Sequence, residues 1–249
     1  MDTPSDWCNE LDRSIAETDG VFAAVHVVDV VDSTQDEARR RELGVGQVVV
    51  ARRQTAGRGR LGRGWLDTAT DGVAVTMLLP VAPPERLALQ SAVATALAVE
   101  RFLPAPVGLK WPNDVVASGR KLAGVLIEIR DGTAAIGIGV NVGQRSWPPE
   151  LAPKAISIVE AGGRAERVEV AAALIESMAA AARQGDGALA AAFETRCVLR
   201  GTTVELRHGQ QLLRGQVIRV DPLAGIALRT ATGTVHLPAA TTTVLTQVP

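Results

Sequence analysis

Aromatic residues are scarce, at 3% of 249 positions, and the formal net charge is -1. Both facts argue against a nucleic-acid-binding module, which needs basic surface and rings for base stacking. The two cysteines, Cys8 and Cys197, form no CxxC, framework or metal-type cluster. They are expected to be reduced, with structural or inert roles. His26, His208 and His236 are scattered and match neither a triad nor metal spacing. Nothing has the form of a nucleophile elbow or a zinc site. No run of about 18 apolar residues exists, so no transmembrane helix is expected. Residues 1–20 are polar and acidic, without the basic start and apolar core of a signal peptide. A cytoplasmic protein without membrane contacts is the expectation.

Hydrophobic residues make up 47% and charged residues 21%, an ordinary globular composition. The length suits one large domain, or one domain with a small appendage. Strands are predicted at 21–31, 47–52, 73–79, 107–111, 122–129 and 134–141, from β-branched and apolar runs. The Asp131-Gly132 pair reads as a hairpin turn between the last two. Helices are predicted at 35–43, 85–102, 168–183 and 187–196, with Asp32, Ser33 and Thr34 as N-cap candidates before the first. After Leu199 the texture changes to short strands with turns at regular spacing, the pattern of a small β barrel. The fold class is therefore α+β: a mixed sheet flanked by helices, plus a small C-terminal barrel. The expected divisions are an N-terminal extension (1–20), a main domain (21–197) and the barrel (198–249).

The most informative stretch runs from Gly57 to Trp65, Gly-Arg-Gly-Arg-Leu-Gly-Arg-Gly-Trp. Glycine permits close backbone approach, arginine forks onto phosphate or carboxylate, and tryptophan offers a stacking face. From Ala51 to Trp65 there are five arginines and no acid. The stretch formally contains GxGxxG, but no helix starts inside it, and no Gly-Lys-Ser/Thr ends it, so the dinucleotide and Walker readings fail. A ligand-binding loop is preferred to a plain basic turn, because so much glycine is costly to order without a ligand.

Three more clusters carry chemistry. Lys110-Trp111-Pro112-Asn113-Asp114 ends a strand and presents polar groups from a turn. By itself such a turn more often shapes the chain than binds anything. Lys121 begins a strand whose Gly124 allows close approach. It suits a phosphate, or equally a snorkelling strand end. Gly137-Ile138-Gly139-Val140-Asn141 alternates glycine along a strand, and Asn141 suits a base edge or a turn cap equally.

Taken in order, these motifs resemble the biotin protein ligases. The matching segments are 57–65, 110–114, 121–128 (Lys-Leu-Ala-Gly-Val-Leu-Ile-Glu) and 137–141, with Asp32-Ser33-Thr34 upstream. The C-terminal β domain corresponds to the family's SH3-like barrel, and the likeness covers about residues 25–247. It implies an ATP-dependent enzyme that makes biotinyl-5′-AMP and passes biotin to one lysine of a biotin carboxyl carrier domain in a carboxylase. ATP and Mg²⁺ would be required. By the resemblance, Ser33, Thr34, Gln54, Gly57, Arg58 and Gly124 line the biotin end. Arg60 and Lys121 meet phosphate or carboxylate, and with Arg58 they form the catalytic set. Trp65 stacks near adenine, Asn113 and Asn141 surround the adenylate, and Asp114 holds Mg²⁺ or the acceptor lysine.

Two departures count. Gln35 stands where the family usually has Asn, which leaves it outside the expected site. Only about 20 residues precede the first strand, so a monofunctional ligase without DNA binding is expected, as a monomer or weak homodimer. The rival within the fold is a lipoate or octanoate ligase; the arginine-glycine loop and the barrel favour biotin. The rival of a different class is the nucleic-acid module already weighed against composition.

Overall fold

A computed structural model describes residues 4–62, 64–66 and 71–248. The chain opens with helix α1 (Pro4–Ala16), which places Trp7, Leu11 and Ser14 on one buried stripe. That helix lies in the segment expected to be a polar extension. Its apolar residues are few but recur at helical spacing, so overall polarity hid the pattern.

Strand β1 (Ala24–Val31), helix α2 (Thr34–Arg40) and strand β2 (Gln47–Gln54) follow. β1 and β2 pair in parallel. The glycine-arginine stretch holds a two-residue hairpin, β3 (Gly57–Arg58) with β4 (Gly64–Trp65), around a 3-10 turn at Arg60–Gly62. Arg63 lies outside the described residues. Next come β5 (Gly72–Pro80), helix α3 (Pro84–Glu100), β6 (Gly108–Lys110), β7 (Asp114–Ala117), β8 (Arg120–Arg130) and β9 (Thr133–Asn141). Asp131 and Gly132 have φ values of 47° and 77°, as a two-residue hairpin turn requires. The seven-stranded sheet has the order β1-β2-β5-β9-β8-β7-β6, so it is mixed.

Helices α4 (Arg167–Ala182) and α5 (Asp186–Glu194) lead to β10 (Thr203–His208), β11 (Gln211–Asp221), β12 (Gly225–Thr230), β13 (Gly233–Leu237) and β14 (Thr242–Val248). These five form an antiparallel sheet in the order β13-β12-β11-β10-β14. The expected fold class, a mixed sheet with flanking helices plus a small β unit, is the one observed.

The period-2 alternation of strands explains where the cavity forms. One face of the large sheet carries Val73, Val75, Met77, Ile136, Ile138 and Val140, all buried in the main core with α3 and α4. The other face carries Ala74, Thr76, Gly137, Gly139 and Gly124 in register across β5, β9 and β8. Small side chains there leave a trough beside α2.

Candidate active site

The trough opens into a cavity of about 610 Å³. Its walls include Ser33, Thr34, Gln54, Arg58, Arg60, Trp65, Asn113, Asp114, Lys121, Gly124 and Asn141. Gly57, the remaining sequence-predicted site residue, is buried directly behind them and pairs with Trp65 in the β3–β4 hairpin. Motifs spread over more than one hundred residues therefore converge on one face of one sheet.

At one end the groups are neutral and polar. The Thr34 amide donates to Gln54 Oε1 at 2.9 Å, and Thr76 Oγ1 donates to Thr34 Oγ1 at 2.8 Å. Gln35 is also here, although the sequence reading left it out. Its Nε2 donates to Leu126 O at 3.3 Å and to Ala135 O at 3.2 Å. Its amide lies across Gly137, where a Cβ would come within 2.9 Å of it. The two N–H donors spent on backbone fix the amide plane over Gly137, and Gln35 forms part of the cavity wall. The Gly137 alternation was the available signal: a strand lacking a side chain invites a neighbour to cover it.

The cations are held in place by partners. Arg58 makes a bidentate pair with Glu128, at 2.9 and 2.7 Å, and lies 3.3 Å from Asp36. Its Nε is buried without a hydrogen-bond partner. Arg60 donates to Asn113 Oδ1 at 3.1 Å. Lys121 Nζ lies 2.7 Å from Asp114 Oδ1 and 5.4 Å from the centre of the Trp65 ring. Trp65 rests on the bare backbone of Gly124 and Gly139; a Cβ at Gly139 would strike its indole, and one at Gly124 would crowd the indole and the Lys121 side chain.

The two asparagines are anchored. Asn113 Nδ2 donates to Val125 O at 2.6 Å. Asn141 Nδ2 donates to Lys121 O and Ile156 O at 3.2 and 3.1 Å. Both brace the strand ends that carry Asp114 and Lys121. The loop after β9 adds Trp147 and Lys154 to the rim, and β14 adds Thr243, Val244 and Leu245. Neither contribution was foreseen, since no motif marks them.

Asp114 is the only carboxylate among the described residues lining the cavity, and no group of three or more metal-type ligands exists among the described residues. Mg²⁺ characteristically takes one or two carboxylates together with substrate phosphates. The site thus suits Mg²⁺ arriving with a nucleotide. Outside the cavity, Asp32 forms a bidentate pair with Arg40, at 2.8 and 2.7 Å. That hydrogen bonding lowers its pKa to about 2 and ties the start of α2 to its last turn.

Comparison with known proteins agrees with this geometry. The model of the biotin/lipoate A/B protein ligase family matches residues 27–144. The biotin--[acetyl-CoA-carboxylase] ligase of Mycobacterium tuberculosis is 37% identical over 185 residues, covering 68% of each chain. The bifunctional ligase/repressor BirA of Escherichia coli is 35% identical over 179 residues, covering 67% of this chain and 55% of the relative. The chain spans about half the length of the bifunctional BirA proteins it matches. Among solved structures, biotin protein ligase from Aquifex aeolicus in complex with biotin and ATP superposes with a TM-score of 0.82 at 28% identity, covering 90% of this chain and 99% of that one. The chain belongs to the biotin/lipoate A/B protein ligase family.

Proposed function

We propose that this chain is an ATP-dependent biotin protein ligase. One observation carries the reading: a single cavity places Arg58, Arg60 and Lys121 beside a neutral, hydrogen-bonding end built from Thr34, Gln54 and Gln35. That combination of neutral hydrogen-bonding groups and fixed cations suits a ligand that carries both an uncharged polar ring and a carboxylate and that meets a polyphosphate.

In the first step a biotin carboxylate oxygen attacks the α-phosphorus of ATP. The bond to the β-phosphate breaks, and pyrophosphate leaves with its electron pair. Two anions must meet, so fixed cations are needed to offset their repulsion and to steady the charge that develops. Arg58, Arg60 and Lys121 supply them, and Mg²⁺ comes as part of the nucleotide substrate. In the second step a lysine amine attacks the acyl carbon of the mixed anhydride. AMP leaves, an amide forms, and the amine gives up a proton. We assign to Asp114, which pairs with Lys121, the role of receiving the incoming ammonium group. Water must be kept from the anhydride. The β3–β4 hairpin, with Trp65 packed on the sheet, covers the trough for that purpose.

The acceptor is a lysine on a biotin carboxyl carrier domain. The deciding experiment is mass spectrometry of such a domain after incubation with this protein, ATP and biotin. Addition of one biotinyl group is expected. Modification with lipoate and none with biotin would make the chain a lipoate ligase instead.

A further inference from the structure

The ladder between β2 and β5 ends at the pair Ala51–Ala74. Beyond it the chain leaves for the glycine-arginine stretch and returns at Gly72. Arg167 occupies the gap. Its Nε donates to Gly72 O at 2.8 Å, and its Nη2 donates to the carbonyl of Arg52. One planar guanidinium thus joins the outgoing stem to the returning one where rungs are missing. Its face lies 5.0 Å from the ring centre of Trp7 on α1, a residue only 1% exposed.

This placement does not serve the helix that carries it. Arg167 is the first residue of α4, where the positive end of the helix dipole opposes a cation. Two of its hydrogen bonds run to the stems. Both stems feed the site directly: Gln54 lies two residues past Arg52, and Gly72 is in register with Asn141. Between them hang Arg58, Arg60 and Trp65.

We propose that Arg167, backed by Trp7, is a positioning residue that sets the spacing of the two stems and so aims Arg58, Arg60 and Trp65 into the cavity. Helix α1 thereby becomes part of the active-site support. The catalytic readout of this idea rests on the ligase reading above; the structural readout does not.

The test uses the full chain with Arg167→Ala and Arg167→Lys. The lysine keeps the charge and stem over Trp7 but replaces a two-pronged fork with one nitrogen. Both variants should keep the wild-type circular dichroism spectrum. Without substrates, trypsin should cut after Arg58 and Arg60 about tenfold faster in Arg167→Ala, and less so in Arg167→Lys. With biotin and ATP, kcat/KM for adenylation should fall about tenfold and the rate of adenylate escape should rise about tenfold in Arg167→Ala, with partial recovery in Arg167→Lys. Wild-type trypsin sensitivity and adenylate retention in both variants would overturn the proposal. So would unfolding of both, which would make Arg167 a stability residue. A wild-type protein that forms no adenylate would sink the ligase reading and leave the trypsin comparison standing.

Discussion

Lys121 and Asp114 face each other at 2.7 Å from neighbouring strands, and the Lys121 ammonium also lies over Trp65. Both partners are partly exposed to the cavity, at 37% and 29% of their side-chain surface. A pair so wetted is weak, so a phosphate can compete for the lysine without a large penalty. Replacing Lys121 with alanine should therefore lower adenylate formation by roughly 10²-fold or more, the scale of losing one preorganised charge donor. Biotin affinity should stay within a few-fold. Pyrophosphate release and direct biotin titration check the two halves separately; near-normal turnover removes Lys121 from the chemistry.

Gly139 is a second sensitive point, though it carries no functional group. Its missing Cβ is the space in which the Trp65 indole rests. Gly139→Ala should push Trp65 off the sheet, and with it the hairpin that carries Arg58. We expect at least a tenfold fall in kcat/KM with a small change in Tm, because the site is a trough and not the packed core. A kinetically normal Gly139→Ala protein would show that the Trp65 position is incidental.

Gln35 offers a specificity test. Shortening it to Asn withdraws the amide from Leu126 O and Ala135 O, and from its place over Gly137 in the cavity wall. Biotin binding should weaken about tenfold, the scale of one buried hydrogen bond to an amide, with ATP binding unaltered. Equal weakening toward both ligands would mean that Gln35 merely supports the fold.

The fold was largely readable because its elements carry strong local signals. The β-branched run of β1, the alanine-rich α3 and the Asp131-Gly132 turn each announce themselves over a few residues. The site was readable for a different reason: glycine, arginine and Lys-Trp-Pro-Asn-Asp are unusual together. What could not be read depends on distant partners. Gln35 enters the site because Gly137, far along the chain, leaves room for it. Trp7 looks like a stray aromatic until Arg167 is laid against it. Asn113 and Asn141, expected around the adenylate, line the cavity and also tie their side-chain amides to backbone carbonyls across strands. That bracing needs coordinates.

Acid should reveal the Asp32–Arg40 pair. Its hydrogen bonds hold the Asp32 carboxyl at about 2, below its ordinary value of 3.8. A depressed folded-state pKa favours folding above the unfolded value, and the gain drains away as the pH falls from about 4 toward 2. Glu37, lowered by the same arginine, adds in the same direction. Both bonds to Asp32 are half in solvent, so the effect will be modest. Urea midpoints measured from about pH 5 to pH 2 should fall more steeply for the wild type than for Asp32→Asn. Parallel slopes would contradict this account.

Thr243, Val244 and Leu245, from the last strand of the chain, line the same cavity as the first motif after β1. An edge of the small sheet is therefore a wall of the reaction chamber, and residues 21–197 taken alone would leave that chamber open on one side. Removing β14 should therefore take this wall from the cavity.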